Sequence, residues 1–512
     1  MSEPDFPRLA RPASPQALYG PLFEAVQLGG LFADSKTFVD ATPRASAAAI
    51  LHAYAGDSRR AGFDLGRFVA QWFELPPPPA DTGPEPGLSV AAHVAALWPH
   101  LQRSASAATP DERAEAPAGS LLPLPHPYVV PGGRFREVYY WDSFFTMQAL
   151  ALQGLRPLAQ GMLDNFAALV RGFGHVPNSN RSYMLSRSQP PLLYRMVELL
   201  APADPAPYLD VLCAEHRFWM AGADALAPGD AHRRVVRLAD GTLLNRYWDD
   251  SDRPRDESYR EDIETAAAAP RRPAAEVWRE LRAGAESGWD FSSRWCAEPD
   301  RLETIETSAI LPIDLNALLW GLETAIARAA YQQGDATLAA RFDFAAGARA
   351  AGIRRHLWNS AEACFVDLQW RRGVRRSLSA ATVVPLYTGF ARADEASALA
   401  ATLEARLLGP NGLRTTLVRS GQQWDQPNGW APLQLMAVEG LLRYGHDALA
   451  LELARRWLGC LERVHAASGK LVEKYDTEVD RPGGGGEYPA QDGFGWSNAS
   501  YVVLQALVAG RR

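Results

Sequence analysis

The chain lacks most of the signals that assign chemistry at a glance. Its four cysteines, Cys213, Cys296, Cys364 and Cys460, stand far apart with no C-x-x-C. That excludes a disulfide framework and fits a reducing compartment or an unbridged protein. The ten histidines form no H-E-x-x-H and no close pair, so no metal site is expected. Basic residues are not in excess: 52 Lys and Arg against 59 Asp and Glu leave a net charge of −7, which argues against a nucleic-acid partner. No uninterrupted apolar run reaches the roughly 18 residues a membrane-spanning helix needs, so no membrane partner is expected. The opening "MSEPDFPRLARPASP" has neither the basic nor the apolar region of a signal peptide. The expectation is a cytoplasmic protein, or a periplasmic one if a leader is missing from this chain. Gly483 to Gly486 are followed by no G-K-[ST], which excludes a phosphate loop and leaves a flap that presents Glu487. No cofactor is expected.

Alternating β and α segments are also missing, which excludes a parallel sheet. The Trp-Asp pairs at 141–142, 248–249, 289–290 and 424–425 keep no period of 40 to 45 residues, which excludes a WD-type propeller. What the chain does have is helical periodicity. Apolar residues recur at three- and four-residue steps over 90–103, 314–334, 337–358, 433–445 and 448–468. Tight "QQGD" and "RYGHDA" turns join neighbouring segments into helical hairpins. Residues 16–75 read as helix with loops, and 233–248 as a small β-hairpin turning at Asp240-Gly241. The pattern predicts an all-α fold, either a solenoid or a closed double ring, in a single domain over 1–512. The first 15 residues are expected to be flexible, and the Pro-rich 74–87 and the small-residue stretch 104–120 to be surface loops.

Between the helices lie polar-aromatic segments: 130–145, 174–191, 247–262, 286–295, 422–432 and 472–498. Surface loops have no reason to carry so many aromatics, but loops converging on a pocket do. Carboxylates beside aromatics, without metal ligands or a nucleophilic Ser or Cys motif, point to glycoside hydrolysis, which needs one protonated and one ionised carboxyl. In "SGWDFSSRW" Asp290 stands between Trp289 and Phe291, a setting that raises a carboxyl pKa. A structural ion pair with Arg294 is the plainer alternative. Asp425, in "QQWDQPNGW", either holds its loop or touches sugar.

"PGGRFREVYYWD" and "QWDQPNGWAP" closely resemble the two signatures of glycoside hydrolase family 37 trehalases. The segment 18–40, "SGWDFSSRW", "VEKYD" and "GGGGEYPAQDGFGW" match further blocks in the same order, so the likeness runs from about 18 to 508. The resemblance implies an (α/α)6 barrel with long active-site loops that hydrolyses α,α-trehalose with inversion, as a monomer and without a cofactor. It implies Asp290 as general acid and Glu473 as general base. Sugar contacts carry over to Arg134, Trp141, Asp142, Asn178, Arg187, Ser188, Gln189, Arg255, Asp256, Glu257, Gly288 and Glu487. Where the family reads Arg-Pro-Glu, this chain reads Arg255-Asp256-Glu257. A hydrolase of another α-glucoside or of trehalose 6-phosphate, and a catalytically silent sugar-binding protein, are the competing readings.

Overall fold

The computed structural model of the chain describes residues 9–77, 87–105 and 119–510. Its body is built from helices that alternate between an outer and an inner position. In chain order they are α1 (Val90–Leu101), α2 (Tyr140–Leu152), α3 (Arg156–Phe173), α4 (Leu193–Leu200), α5 (Leu209–Trp219) and α6 (Ile313–Gln332). They continue with α7 (Ala336–Leu357), α8 (Val384–Thr388), α9 (Ala393–Thr402), α10 (Ala431–Arg443), α11 (Asp447–Ser468) and α12 (Gly495–Val508). The even-numbered helices pack in sequence, α2 on α4, α4 on α6, α6 on α8, α8 on α10, α10 on α12, and α12 closes back on α2. That closed inner ring, wrapped by the odd-numbered helices, is the (α/α)6 barrel; no solenoid is formed.

The sequence explains which helix goes where. The inner α6, "IDLNALLWGLETAIARAAYQ", is apolar on nearly all sides and nearly all buried. The outer α7 buries a stripe that includes Ala339, Phe342, Ala346 and Ile353, and turns its other face to water. Between them Gly334, at φ 75°, takes the left-handed conformation that a sharp reversal needs, and Asp335 then caps α7 by accepting from the Leu338 N–H at 2.9 Å.

Two additions shape the site. Between α5 and α6 the chain inserts the hairpin Val235–Arg237 with Leu243–Asn245, then the helices Tyr259–Ala267 and Ala274–Glu286. The hairpin turns at Asp240-Gly241 as expected, and a third short strand, Ala231–His232, pairs with its outer edge. Ahead of the barrel, the helices Pro15–Leu28, Ala47–Asp57 and Leu65–Trp72 share a second core with Tyr139 and Tyr183, which come from segments between the barrel helices, and with Tyr259 at the start of the inserted helix Tyr259–Ala267. This layer therefore rests on one mouth of the ring. Of the expected flexible terminus, residues 1–8 lie outside the described residues, while the Leu9 N–H donates to Gly172 O at 2.8 Å. Most of the two expected surface loops, 78–86 and 106–118, also lies outside the described residues.

Candidate active site

Five of the six inner helices receive a polar-aromatic segment at their N-terminal end: 130–139 before α2, 174–191 before α4, 286–295 before α6, 422–430 before α10 and 472–494 before α12. Helix N-termini present unsatisfied N–H groups and a positive dipole end, so this mouth of the ring suits a polar ligand. The segments enclose a cavity of about 660 Å³ lined by Arg134, Trp141, Asp142, Asn178, Arg187, Gln189, Arg255, Glu257, Gly288, Asp290, Glu473 and Glu487, among others. A larger cleft of about 1150 Å³ opens at the other mouth, but Glu198 is its only carboxylate and it holds no acid–base pair.

Asp290 follows the inserted helix Ala274–Glu286, with Trp289 and Phe291 buried on either side. Among the described residues no side chain donates a hydrogen bond to its carboxyl. Burial pushes its pKa up to about 7, and the Glu487 carboxylate adds to this against the opposing charges of Arg255 and Arg187. Asp142, in the first turn of α2, is held well above the ordinary carboxyl range by burial and by the nearby Glu473 and Asp290. Three carboxyls thus converge here. Gly288, at φ 73°, allows the approach, because a Cβ there would stand 2.8 Å from the Trp141 ring.

Glu473 is buried and firmly held. Tyr488 donates its hydroxyl to Oε1 at 2.9 Å, and Lys474 Nζ donates to Oε2 at 3.0 Å. Around the wall, Arg187 donates to Asn178 Oδ1 at 3.0 Å and to Glu257 Oε1 at 2.6 Å. Its Nη1 lies 3.6 Å from Asp249 Oδ2, and among the described residues neither Nη1 nor Glu257 Oε2 makes a hydrogen bond. Arg255 grips Asp262 with a forked pair of bonds and reaches Glu487 Oε1 at 2.7 Å. Arg134 forks onto Asp34 at 2.9 and 2.7 Å, its guanidinium lying 4.4 Å from the centre of the Tyr488 ring. Gln189 accepts from the Trp141 N–H at 3.1 Å.

The four Trp-Asp pairs divide by role. Asp142 and Asp290 face the cavity. Asp249 is paired with Arg282 at 3.0 Å. Asp425 accepts from Ser292, Ser293, Thr416 and Ser420, and so clamps the segment after Asp290 to the loop before α10. Trp424 stacks on Trp430 at 3.8 Å and on Trp289 at 5.3 Å, carrying the same join through apolar surface. Arg294 is committed to Asp314 and Asp367, which leaves Asp290 outside that ion-pair network.

Two expected sugar contacts lie off the cavity. Ser188 donates its hydroxyl to Val176 O at 2.6 Å and its N–H to Glu286 Oε1 at 2.8 Å, so it fixes the loop beside Arg187. Asp256 turns away from the ring and accepts from the Gln16 N–H at 2.8 Å, at the start of the helix Pro15–Leu28. Conversely, Lys36, Phe135, Tyr139, Met184, Ser258, Trp430, Tyr488, Phe494 and Trp496 line the cavity although the sequence did not mark them as sugar contacts. Tyr488 directly follows Glu487, and its ring beside a carboxylate was the available signal. The flap glycines Gly483 and Gly484 are tied to Lys474 and Asn428 by backbone and side-chain hydrogen bonds. Among the described residues no group of three or more His, Cys, Asp and Glu could hold a metal ion, and no helix is long and apolar enough to cross a membrane.

A family model described as Trehalase matches residues 30–508. The periplasmic trehalase of Pseudomonas aeruginosa is 51% identical over 505 residues, 97% of this chain and 90% of that protein. The periplasmic trehalase of Citrobacter koseri is 50% identical over 503 residues, 97% of this chain and 87% of that protein. Among solved structures, the neutral trehalase of Saccharomyces cerevisiae is 28% identical with a TM-score of 0.61, covering 74% of this chain and 73% of that one. A family 63 mannosylglycerate hydrolase from Thermus thermophilus, at 17% identity and a TM-score of 0.55, covers 81% of this chain and 99% of that one and shares the fold alone. The expected cytoplasmic location is not supported, since these close relatives are named periplasmic. With a family model over residues 30–508 and relatives half identical across nearly its whole length, the chain belongs to the trehalase family.

Proposed function

We propose that this protein hydrolyses α,α-trehalose to two glucose molecules with inversion, Asp290 giving a proton to the bridging oxygen and Glu473 taking one from the attacking water. One observation carries the reading: a single cavity holds a carboxyl pushed up to about 7 and a second, buried carboxyl beside an ammonium and a phenol. The first can carry a proton near neutral pH. The second has its oxygens oriented by neighbours. Protonating the bridging oxygen lets it depart as an alcohol, while water loses a proton to Glu473 and bonds to the anomeric carbon from the opposite face. Arg187, Glu257, Arg255, Glu487, Asn178 and Arg134 surround the sugars with forked donors and acceptors, and Trp141 lines the same cavity with apolar surface.

Each cation lining the cavity already has a carboxylate partner: Lys36 with Glu137, Arg134 with Asp34, Arg187 with Glu257, and Arg255 with Asp262. None is left over for a phosphate, which favours the neutral disaccharide over its 6-phosphate. The reading places the protein in the periplasm with its named relatives. The test is stereochemical. Inversion gives one β-glucose from the attacked ring and one α-glucose from the other, so proton NMR in the first minutes should show both anomers growing equally. Early growth of the α anomer alone would mean retention and a covalent intermediate.

A further inference from the structure

We propose that Lys474 and Gln423 are positioning residues that form a strut from the Glu473 carboxylate to the backbone of Asp290 and hold Glu473 in its attacking orientation. The proposal rests on the reading of Asp290 as acid and Glu473 as base. The connection is continuous. Lys474 Nζ donates to Glu473 Oε2 at 3.0 Å and to Gln423 Oε1 at 2.8 Å. The Gln423 amide nitrogen donates in turn to the backbone carbonyl of Asp290. Gln423 is itself pinned, its own carbonyl accepting from Asn428 at 2.9 Å and from the Trp430 indole at 3.0 Å. The base is fixed from behind as well, because the Trp496 indole donates to the Glu473 backbone carbonyl at 2.8 Å.

The surroundings of Lys474 suit this task better than a generic stabilising ion pair. Its side chain is completely buried, and a buried ammonium is costly unless well compensated. The Trp430 and Tyr488 rings flank Nζ, each centred 5.2 Å away, and complete a cage around it. With Tyr488 on Oε1 and Lys474 on Oε2, each Glu473 oxygen has one chain donor. The carboxylate cannot rotate without breaking both bonds, and the remaining lone pairs are those that can meet a water. Gly486 lets the flap pass over the strut, since a Cβ there would stand 2.9 Å from the Gln423 side chain.

The experiment compares trehalose with α-glucosyl fluoride. Fluoride leaves with the C–F electron pair and needs no proton donor, while the water still gives its proton to the base and bonds to carbon. Asp290→Asn should lose trehalose turnover and keep fluoride turnover, and Glu473→Gln should lose both. These two variants test the underlying reading, and a reversed pattern overturns it together with the strut. Lys474→Met should lower kcat on both substrates by about 10- to 100-fold while KM stays within about threefold, the pattern expected when only transition-state interactions are lost. Gln423→Met, which introduces no charge change, should show the same split more weakly. The double variant should be no worse than Lys474→Met, because members of one unit are not additive. Circular dichroism and Tm on each variant separate this from misfolding. If the two wild-type roles hold but folded Lys474→Met or Gln423→Met keeps fluoride kcat within twofold of wild type, the strut is refuted.

Discussion

The segment that carries Asp290 and the segment that carries Glu473 meet in one cavity and treat a carboxyl in opposite ways. Around Asp290 the described residues offer aromatic surface and no side-chain hydrogen bond to its carboxyl, and burial raises its pKa to about 7. Around Glu473 they supply a phenol, an ammonium and an indole, the last to the backbone. Desolvation without compensation stabilises the neutral acid, whereas donors aimed at the oxygens suit the anion. The rigidity is arranged differently too. The acid is held through its neighbours, by Asp425 on Ser292 and Ser293 and by stacked tryptophans, while the base is held by its own oxygens. A proton donor must give up its proton to an incoming oxygen, and among the described residues no side chain donates to the Asp290 carboxyl. A base that directs a small water gains from being fixed. Role is thus assigned by surroundings, not by residue type.

Exchanging that contrast for neutrality should have the largest effect. Asp290→Asn keeps shape and burial but cannot donate the leaving-group proton, and trehalose kcat should fall by about 10²- to 10⁴-fold. Steady-state glucose release decides it, and a variant keeping a third of the wild-type rate would remove Asp290 from the acid's role. Next in size is the sugar-binding wall. Arg187→Lys retains charge but loses the fork that reaches Asn178 and Glu257 together. With one or two charge-assisted bonds lost, kcat/KM should drop roughly 10- to 100-fold. Near-wild-type kinetics would show that the planar fork does not matter.

Much of this contrast was legible in the sequence, and the parts that were not share a cause. Long periodic helices such as α6 and α11 emerge within a residue or two of where three- and four-residue spacing puts them. The five-residue α8 has no period to read, and the two-residue strands, such as Asn428–Gly429 with Tyr475–Asp476, are shorter than any pattern. Within the site, neighbours in the sequence need not share a direction. Asp256 sits in the 3₁₀ turn Asp256–Ser258, where successive side chains diverge by about 120°, so it leaves the cavity while Glu257 enters it. The partners that orient the site were invisible for a simpler reason. Gln423 is 51 residues from Lys474, and Asp34 is 100 from Arg134. Only the fold brings them together.

The acid's pKa gives a subtler handle. Asp290 must be protonated to act, so kcat/KM should fall about tenfold per unit as pH rises beyond about 7. After burial, the opposing Arg255 and the reinforcing Glu487 are the next influences on this carboxyl. Glu487→Gln removes a negative neighbour and releases Arg255 from one of its partners. Both changes favour ionised Asp290, so the alkaline limb should move to lower pH by up to about one unit, whatever happens to the absolute rate. A pH–rate profile of the two proteins checks the direction, and an unmoved or alkaline-shifted limb contradicts it.

The smallest effect on catalysis is expected at Asp256, an expected sugar contact whose carboxyl lies off the cavity. Its carboxyl accepts the Gln16 N–H, and the Asp256 backbone carbonyl accepts from Gln27, so both fasten the helix Pro15–Leu28 to the inserted loop. Asp256→Asn keeps an acceptor oxygen for Gln16, and kcat/KM should stay within about twofold. Stability should respond instead, and with a particular sign. Burial raises the Asp256 pKa from 3.8 to about 6, outweighing the Gln16 N–H and Arg282, which lower it. A carboxyl raised in the folded state binds its proton more tightly there than in the unfolded chain. Its contribution to stability is therefore fully present below about pH 4 and is lost as pH rises through about 6. Above that, wild type keeps a buried carboxylate that the asparagine variant lacks. The variant should gain about 1–3 kcal/mol relative to wild type at pH 8 and close to nothing at about pH 3.5, below the unfolded-state pKa. Calorimetry at the two pH values measures the difference directly. Equal shifts at both would mean that Asp256 is not titrating inside the fold, and a tenfold fall in kcat/KM would return it to the sugar.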